Sequence, residues 1–124
     1  MSYVDFFALP LPKGNEERYR QMAEIFKTVM REHGLLRYCE AVADDVPRGE
    51  VTDFYRAVAA TEEETVVAAY ALWPDKETRD LAWQRGMQDP RFGGPDEFAS
   101  VFDGKRMFWG GFKPIVEYEA EQAK

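Results

Sequence analysis

A chain of 124 residues, 45% hydrophobic and 15% aromatic, with no composition break or low-complexity run, can bury a core and reads as a single domain over residues 1–124. Its formal charge of −7 argues against nucleic acid, whose phosphates are bound largely through Lys and Arg. The absence of a long apolar run or a secretory signal points away from a membrane and to the cytoplasm, and one cysteine with one histidine gives neither an internal disulfide nor a metal-ligand cluster.

Tyr3 to Leu9 reads as a first strand ended by Pro10-Leu11-Pro12, with Tyr3, Asp5, Phe7 and Leu9 on one face and Val4, Phe6 and Ala8 on the other. Asn15 suits a helix N-cap, and Glu16 and Glu17 suit the positive end of the helix dipole. Tyr19, Met22, Ala23, Phe26, Val29, Met30 and His33 recur at spacings of three and four, predicting one buried face of a helix that stops at Gly34. Leu36 to Ala43 predicts a second strand, with Leu36, Tyr38, Glu40 and Val42 on one face and Arg37, Cys39, Ala41 and Ala43 on the other.

A polar turn follows at Asp44 to Gly49. Phe54 to Ala60 fits a short strand or a helical turn equally well, and Glu62 to Glu64 reads as a solvated rim. Thr65 to Trp73 is a near-continuous apolar run of strand length. Asp75 caps a second helix to about Gln88, whose apolar contacts are Leu81, Ala82, Trp83 and Met87. A short helix is expected around Asp96 to Ser100. The Asp103-Gly104 turn then feeds a last strand, from about Lys105 to Tyr118, which the pair Gly110-Gly111 interrupts with a bulge or a close backbone approach.

Strand, helix, strand, strand, helix, strand is the split βαβ order of a ferredoxin-like α+β fold with an antiparallel sheet. Two helices cover only one face of such a sheet. Because the first, third and last strands are apolar on both sides, the second face needs another layer. An identical subunit packed sheet against sheet is the simplest supplier, which predicts a homodimer through the sheet faces.

Four segments, Leu9–Glu24 (LPLPKGNEERYRQMAE), Asp44–Phe54 (DDVPRGEVTDF), Glu64–Pro74 (ETVVAAYALWP) and Phe102–Glu117 (FDGKRMFWGGFKPIVE), occur in an order that resembles the YbaA-like family of uncharacterised bacterial proteins, domain of unknown function 1428. Tyr55 and Val101 stand where that pattern carries proline, and the stretch from Gly93 to Ser100 is longer than usual. The resemblance implies a dimeric α+β barrel and implies no activity. Related barrels include cofactor-free monooxygenases and small ligand-binding proteins, so the fold offers a menu only.

The residues that could carry chemistry are few. His33 is the one side chain whose ordinary pKa lies near neutrality, which makes it the default acid/base candidate, although in a last helical turn before Gly34 a histidine more commonly serves the helix C-terminus. Glu40 and Asp5 are carboxylates on otherwise apolar strands, where burial can raise a pKa into the range of proton transfer. Arg106 suits an ion pair with such a carboxylate or an anionic ligand. Tyr38, Tyr70, Trp73 and Trp109 suit an aromatic pocket or core packing, and Cys39 reads as an inert small hydrophobe.

These features predict a cytoplasmic homodimer binding a small, partly apolar molecule between sheet and helices. Any catalysis would be proton transfer or oxygenation without metal or cofactor, with Glu40, Asp5 and His33 as players. The alternative is a non-enzymatic regulatory or structural protein acting through its dimer face or another protein surface.

Overall fold

The computed structural model describes residues 2–121. Its centre is a four-stranded antiparallel sheet of order β2-β3-β1-β4, built from β1 (Tyr3–Pro12), β2 (Arg37–Val42), β3 (Glu64–Trp73) and β4 (Phe108–Phe112). Helices α1 (Glu16–Arg31) and α3 (Lys76–Gly86) follow β1 and β3, and the short helices α2 (Phe54–Ala57) and α4 (Pro95–Val101) occupy the connections. This is the ferredoxin-like α+β fold that the element order predicts.

Strand alternation sorts the sheet into two unlike faces. The pairings Phe7↔Ala69, Phe7↔Trp109 and Glu40↔Ala69 place these side chains, with Asp5, Leu9, Tyr38, Ala71 and Trp73, on one face. That face carries the main core, where Phe7, Ala69, Ala71 and Trp73 pack with Val29 and Met30 of α1 and Ala82 of α3. The opposite face presents Val4, Phe6, Tyr70, Cys39, Phe108 and Phe112. Among the described residues, a buried cluster covers one end of it, where Val58, just after α2, packs on Ala8 and Val66.

Several local expectations give way to tertiary ones. β1 runs through both prolines instead of ending at them. Its pairing with β4 stops at Ala8, and Lys13 N donates to Glu63 O at 3.0 Å, so odd-numbered amides here face β3 while positions 10 and 12 face the unpaired side. Proline's missing N–H costs nothing there. Asn15 precedes α1 but makes no side-chain cap; its Nδ2 donates to Val101 O at 2.8 Å and ties the start of α1 to the end of α4. Asp53 and Asp75 do cap, accepting from Arg56 N at 2.8 Å and Thr78 N at 2.7 Å. The segment that fits strand or turn is therefore helical at Phe54–Ala57.

Gly34 ends the turn after α1 with φ +102°, and a Cβ there would lie 2.6 Å from Thr78 Cγ2. Leu81 and Met87 are more exposed than an apolar role implies, so Ala82 and Trp83 carry the inner side of α3. β4 is the largest correction: it spans only Phe108–Phe112, and a tight 3-10 turn occupies Gly104–Arg106. Gly110 and Gly111 make no bulge, since the register with β1 is unbroken from Ala8↔Phe108 to Val4↔Phe112. They permit close approach instead: a Cβ on Gly111 would collide with the Tyr3 ring and lie 2.8 Å from Arg79 Nη2. Cys39 is exposed, not buried.

Candidate functional site

A cleft of about 870 Å³ opens between the helix-covered face of the sheet and the α4 segment. Its floor is Phe7, Leu9, Tyr38 and Glu40, its roof Tyr19, Met22 and Phe26 of α1, and its far wall Phe98, Phe102 and Met107. The same periodicity that makes α1 amphipathic thus points a tyrosine, not only hydrocarbon, at the sheet. Helix α4 is short and mostly exposed, and it meets the sheet at its end, where Val101 and Phe102 pack with Leu9, Leu11 and Val67.

The polar feature inside is a three-residue cluster. Tyr19 Oη donates to Glu40 Oε1 at 2.7 Å, and Tyr38 Oη donates to Glu40 Oε2. Tyr38 and Glu40 lie two apart on β2 and so share a face, whereas Tyr19 arrives from α1. Burial raises the Glu40 pKa above the ordinary value of 4.5, against the two hydroxyl hydrogen bonds that favour the charged form. Both tyrosine pKa values are raised, first by burial and then by the carboxylate beside them, so the hydroxyls keep their protons. Glu40, Tyr19 and Tyr38 also line a second, smaller cleft of about 420 Å³ bordered by Glu16, Arg20, Glu24 and Lys27. The cluster is therefore a partition between an apolar interior and a charged exterior.

At the mouth, Arg106 makes a two-pronged pair with Glu64 (2.7 and 2.8 Å), meets Asp103 at 2.9 Å and donates to Ala59 O at 2.8 Å. Glu64, expected on a solvated rim, is instead partly buried and paired, with a side chain 9% exposed. The hydrogen bonds from Arg106 lead the causes that hold its pKa down to about 2. A depressed carboxylate stabilises the fold above its unfolded value of 4.5, and that contribution disappears as pH falls through about 2. Arg106→Met should accordingly lower the melting temperature most near neutrality, with the gap to wild type closing toward pH 2 in calorimetric scans; a gap constant across that range would refute the coupling.

The other sequence candidates are scattered. Asp5 lines neither cleft: it is closed in by Arg79 Nη2 at 2.7 Å, Trp73 Nε1 at 3.0 Å and Trp83 Nε1 at 2.9 Å. His33 follows the end of α1, beside Gly86 of α3, and lines neither cleft. Tyr70 lies on the opposite face of the sheet, across from Phe6 and Cys39. Trp109 lies on the helix side, stacked on Trp83 with ring centroids 5.3 Å apart, and is absent from the cleft wall. Of the predicted set, only Glu40, Tyr38 and Arg106 come together around one space. Tyr19 was hidden in an amphipathic stripe; a lone hydroxyl on a buried helix face was the signal for it. Among the described residues, no group of three His, Cys, Asp or Glu side chains converges as a metal site.

The sequence profile described as "Protein of unknown function (DUF1428)" matches residues 2–104, from the first strand to the turn before β4. The chain belongs to the DUF1428 family. It is 45% identical over 119 residues to the uncharacterized protein YbaA of Escherichia coli (strain K12), covering 94% of this chain and 99% of that one. Among solved structures, it is similar to a dimeric ferredoxin-like protein of unknown function from Jannaschia sp. CCS1, with a TM-score of 0.60, 17% identity and coverage of 92% and 100%. It is also similar to SnoaB, a cofactor-independent oxygenase from Streptomyces nogalater, with a TM-score of 0.55, 12% identity and coverage of 94% and 97%. At these identities the likeness concerns the fold. Among the described residues of this DUF1428 chain, no helix is long and apolar enough to cross a membrane.

Proposed function

We propose that this DUF1428 chain binds a small, partly apolar molecule in the cleft between sheet and helices. The observation that carries the reading is a space of about 870 Å³ walled largely by aromatic and aliphatic side chains, with the Glu40 carboxyl held by two tyrosine hydroxyls on its floor and Glu64 and Asp103 tied to Arg106 at its mouth. Apolar walls supply affinity and a few convergent polar groups supply orientation, which is the usual make-up of a small-molecule site. If the site is catalytic, Glu40 is the group placed to exchange a proton with the ligand, and Tyr19 and Tyr38 position it. The unpaired, exposed thiol of Cys39 fits a reducing, cytoplasmic setting.

A thermal-shift screen with uncharged aromatic probes tests the cleft. At a probe concentration of 100 Kd, occupancy adds about 2.7 kcal/mol of stability, a shift of several degrees. Ala99→Trp places an indole at the cleft wall from an exposed position on α4 and should abolish the shift without unfolding the protein. Hits whose shift survives in Ala99→Trp, or no hits at all, would reject the cleft as the site.

A second reading concerns assembly and has its own observation. Phe6, Phe108 and Phe112 are 48%, 49% and 55% exposed on one sheet face, and Phe6 and Phe112 already meet edge to face at 5.3 Å. A contiguous aromatic face of this kind is suited to a second copy packed sheet against sheet. That the similar structure from Jannaschia sp. CCS1 is a dimeric ferredoxin-like protein supports a second copy as the occupant. It also leaves room for a regulatory or structural role exerted through the same surface.

A further inference from the structure

We propose that the cleft selects ligands by the hydrogen-bonding character of their head group: a protonated amine binds best, a hydroxyl less well, and carboxylates or phosphates are rejected. This deepens the ligand-binding reading above and rests on it. The argument is an inventory of donors. Each tyrosine hydroxyl has a single proton, and those of Tyr19 and Tyr38 are both spent on Glu40. Trp83 Nε1, also on the wall, is spent on Asp5 at 2.9 Å. What the interior still offers a ligand at this cluster is lone pairs, on the carboxyl and on the two hydroxyl oxygens.

Charge points the same way. Among the described residues, no Lys or Arg lies within salt-bridge distance of Glu40. Arg106 at the mouth is committed to Glu64, Asp103 and the Ala59 carbonyl, and Lys105 is exposed, where water and salt screen it. An anionic head would therefore be desolvated beside a carboxyl with no cation to receive it. An ammonium head would supply the counter-charge that Glu40 lacks, with the ring faces of Phe7 and Phe26 adding cation–π attraction.

Three probes with the same body and different heads, 2-phenylethylamine, 2-phenylethanol and phenylacetate, test the order, with ethylbenzene as the headless reference. Binding is measured by titration NMR at pH 7.5 and 0.15 M salt, on wild type and on Glu40→Gln. The amine should bind at least tenfold more tightly than phenylacetate, with the alcohol between them. Glu40→Gln should cut amine affinity at least tenfold, compress the order and leave ethylbenzene unchanged. Phenylacetate matching or exceeding the amine, or an order that survives Glu40→Gln, overturns the inference while ethylbenzene binding keeps the cleft reading intact. If ethylbenzene and all three headed probes fail to bind, the cleft reading falls and the inference with it.

Discussion

Replacing Asp5 with alanine should destabilise the fold by about 3–5 kcal/mol, the cost of removing the buried member of an ion pair whose cation keeps only the more exposed Asp80 at 2.9 Å. Asp5 is 0% exposed, and its two oxygens take Arg79 Nη2 at 2.7 Å, Arg79 Nε at 3.1 and 3.2 Å, and the indole N–H groups of Trp73 and Trp83. Truncation strands all of these donors at once. Arg79 cannot simply swing into water, because its guanidinium is also held over the rings of Tyr3 (5.3 Å) and Trp109 (5.6 Å). The carboxylate thus joins β1, β3 and α3 at one point. Urea unfolding followed by near-ultraviolet circular dichroism measures the loss directly. Asp5→Asn, which retains an acceptor, should cost less than alanine, and removing Arg79 in the alanine background should add little further. A loss for Asp5→Ala below about 1 kcal/mol would show that the network is not the tie it resembles.

The second large effect concerns assembly. Wild type should sediment at micromolar concentration as twice the 14.3 kDa chain, and Phe108→Asp should return it to monomer with the fold intact. Aromatic anchors at the centre of an interface are worth about 2 kcal/mol or more each, or roughly thirtyfold in dissociation constant. Phe108 is the right position because it lies on the open face between Phe6 and the sheet edge, opposite Ala8. Trp109, its neighbour, points to the helices and stacks on Trp83, so Trp109→Asp should weaken the fold and leave self-association unchanged. A wild-type protein that sediments as a single chain would reject the dimer. An effect of Trp109→Asp equal to that of Phe108→Asp would place the interface elsewhere.

Features that depend on neighbours along the chain were legible in the residues. Period-two alternation set the faces of β1, β2 and β3, period-3.6 spacing set the inner side of α1, and Asp75 marked the start of α3, because each of these is a local backbone or solvation preference. The order of elements then left few topologies, and with them a sheet face in need of a cover.

Where hydrogen-bonding and charged groups meet is set by packing between elements distant in the chain. Tyr19 and Glu40 are 21 positions apart, Glu64 and Arg106 are 42, and Asp5 lies 74 from Arg79; nothing in local spacing pairs them. The same holds for strand ends. Pro10 and Pro12 stay in β1 because β4 is too short to need their amides, and Gly110-Gly111 stay in register because Tyr3 and Arg79 occupy the space above Gly111. Apolar burial is non-directional and leaves a periodic trace in the chain, whereas a directional polar contact is chosen by the three-dimensional approach of its partners. That is why the sheet was legible in the sequence, while only the folded structure shows Glu40 lining the cleft, Asp5 closed in by Arg79 and His33 beside Gly86.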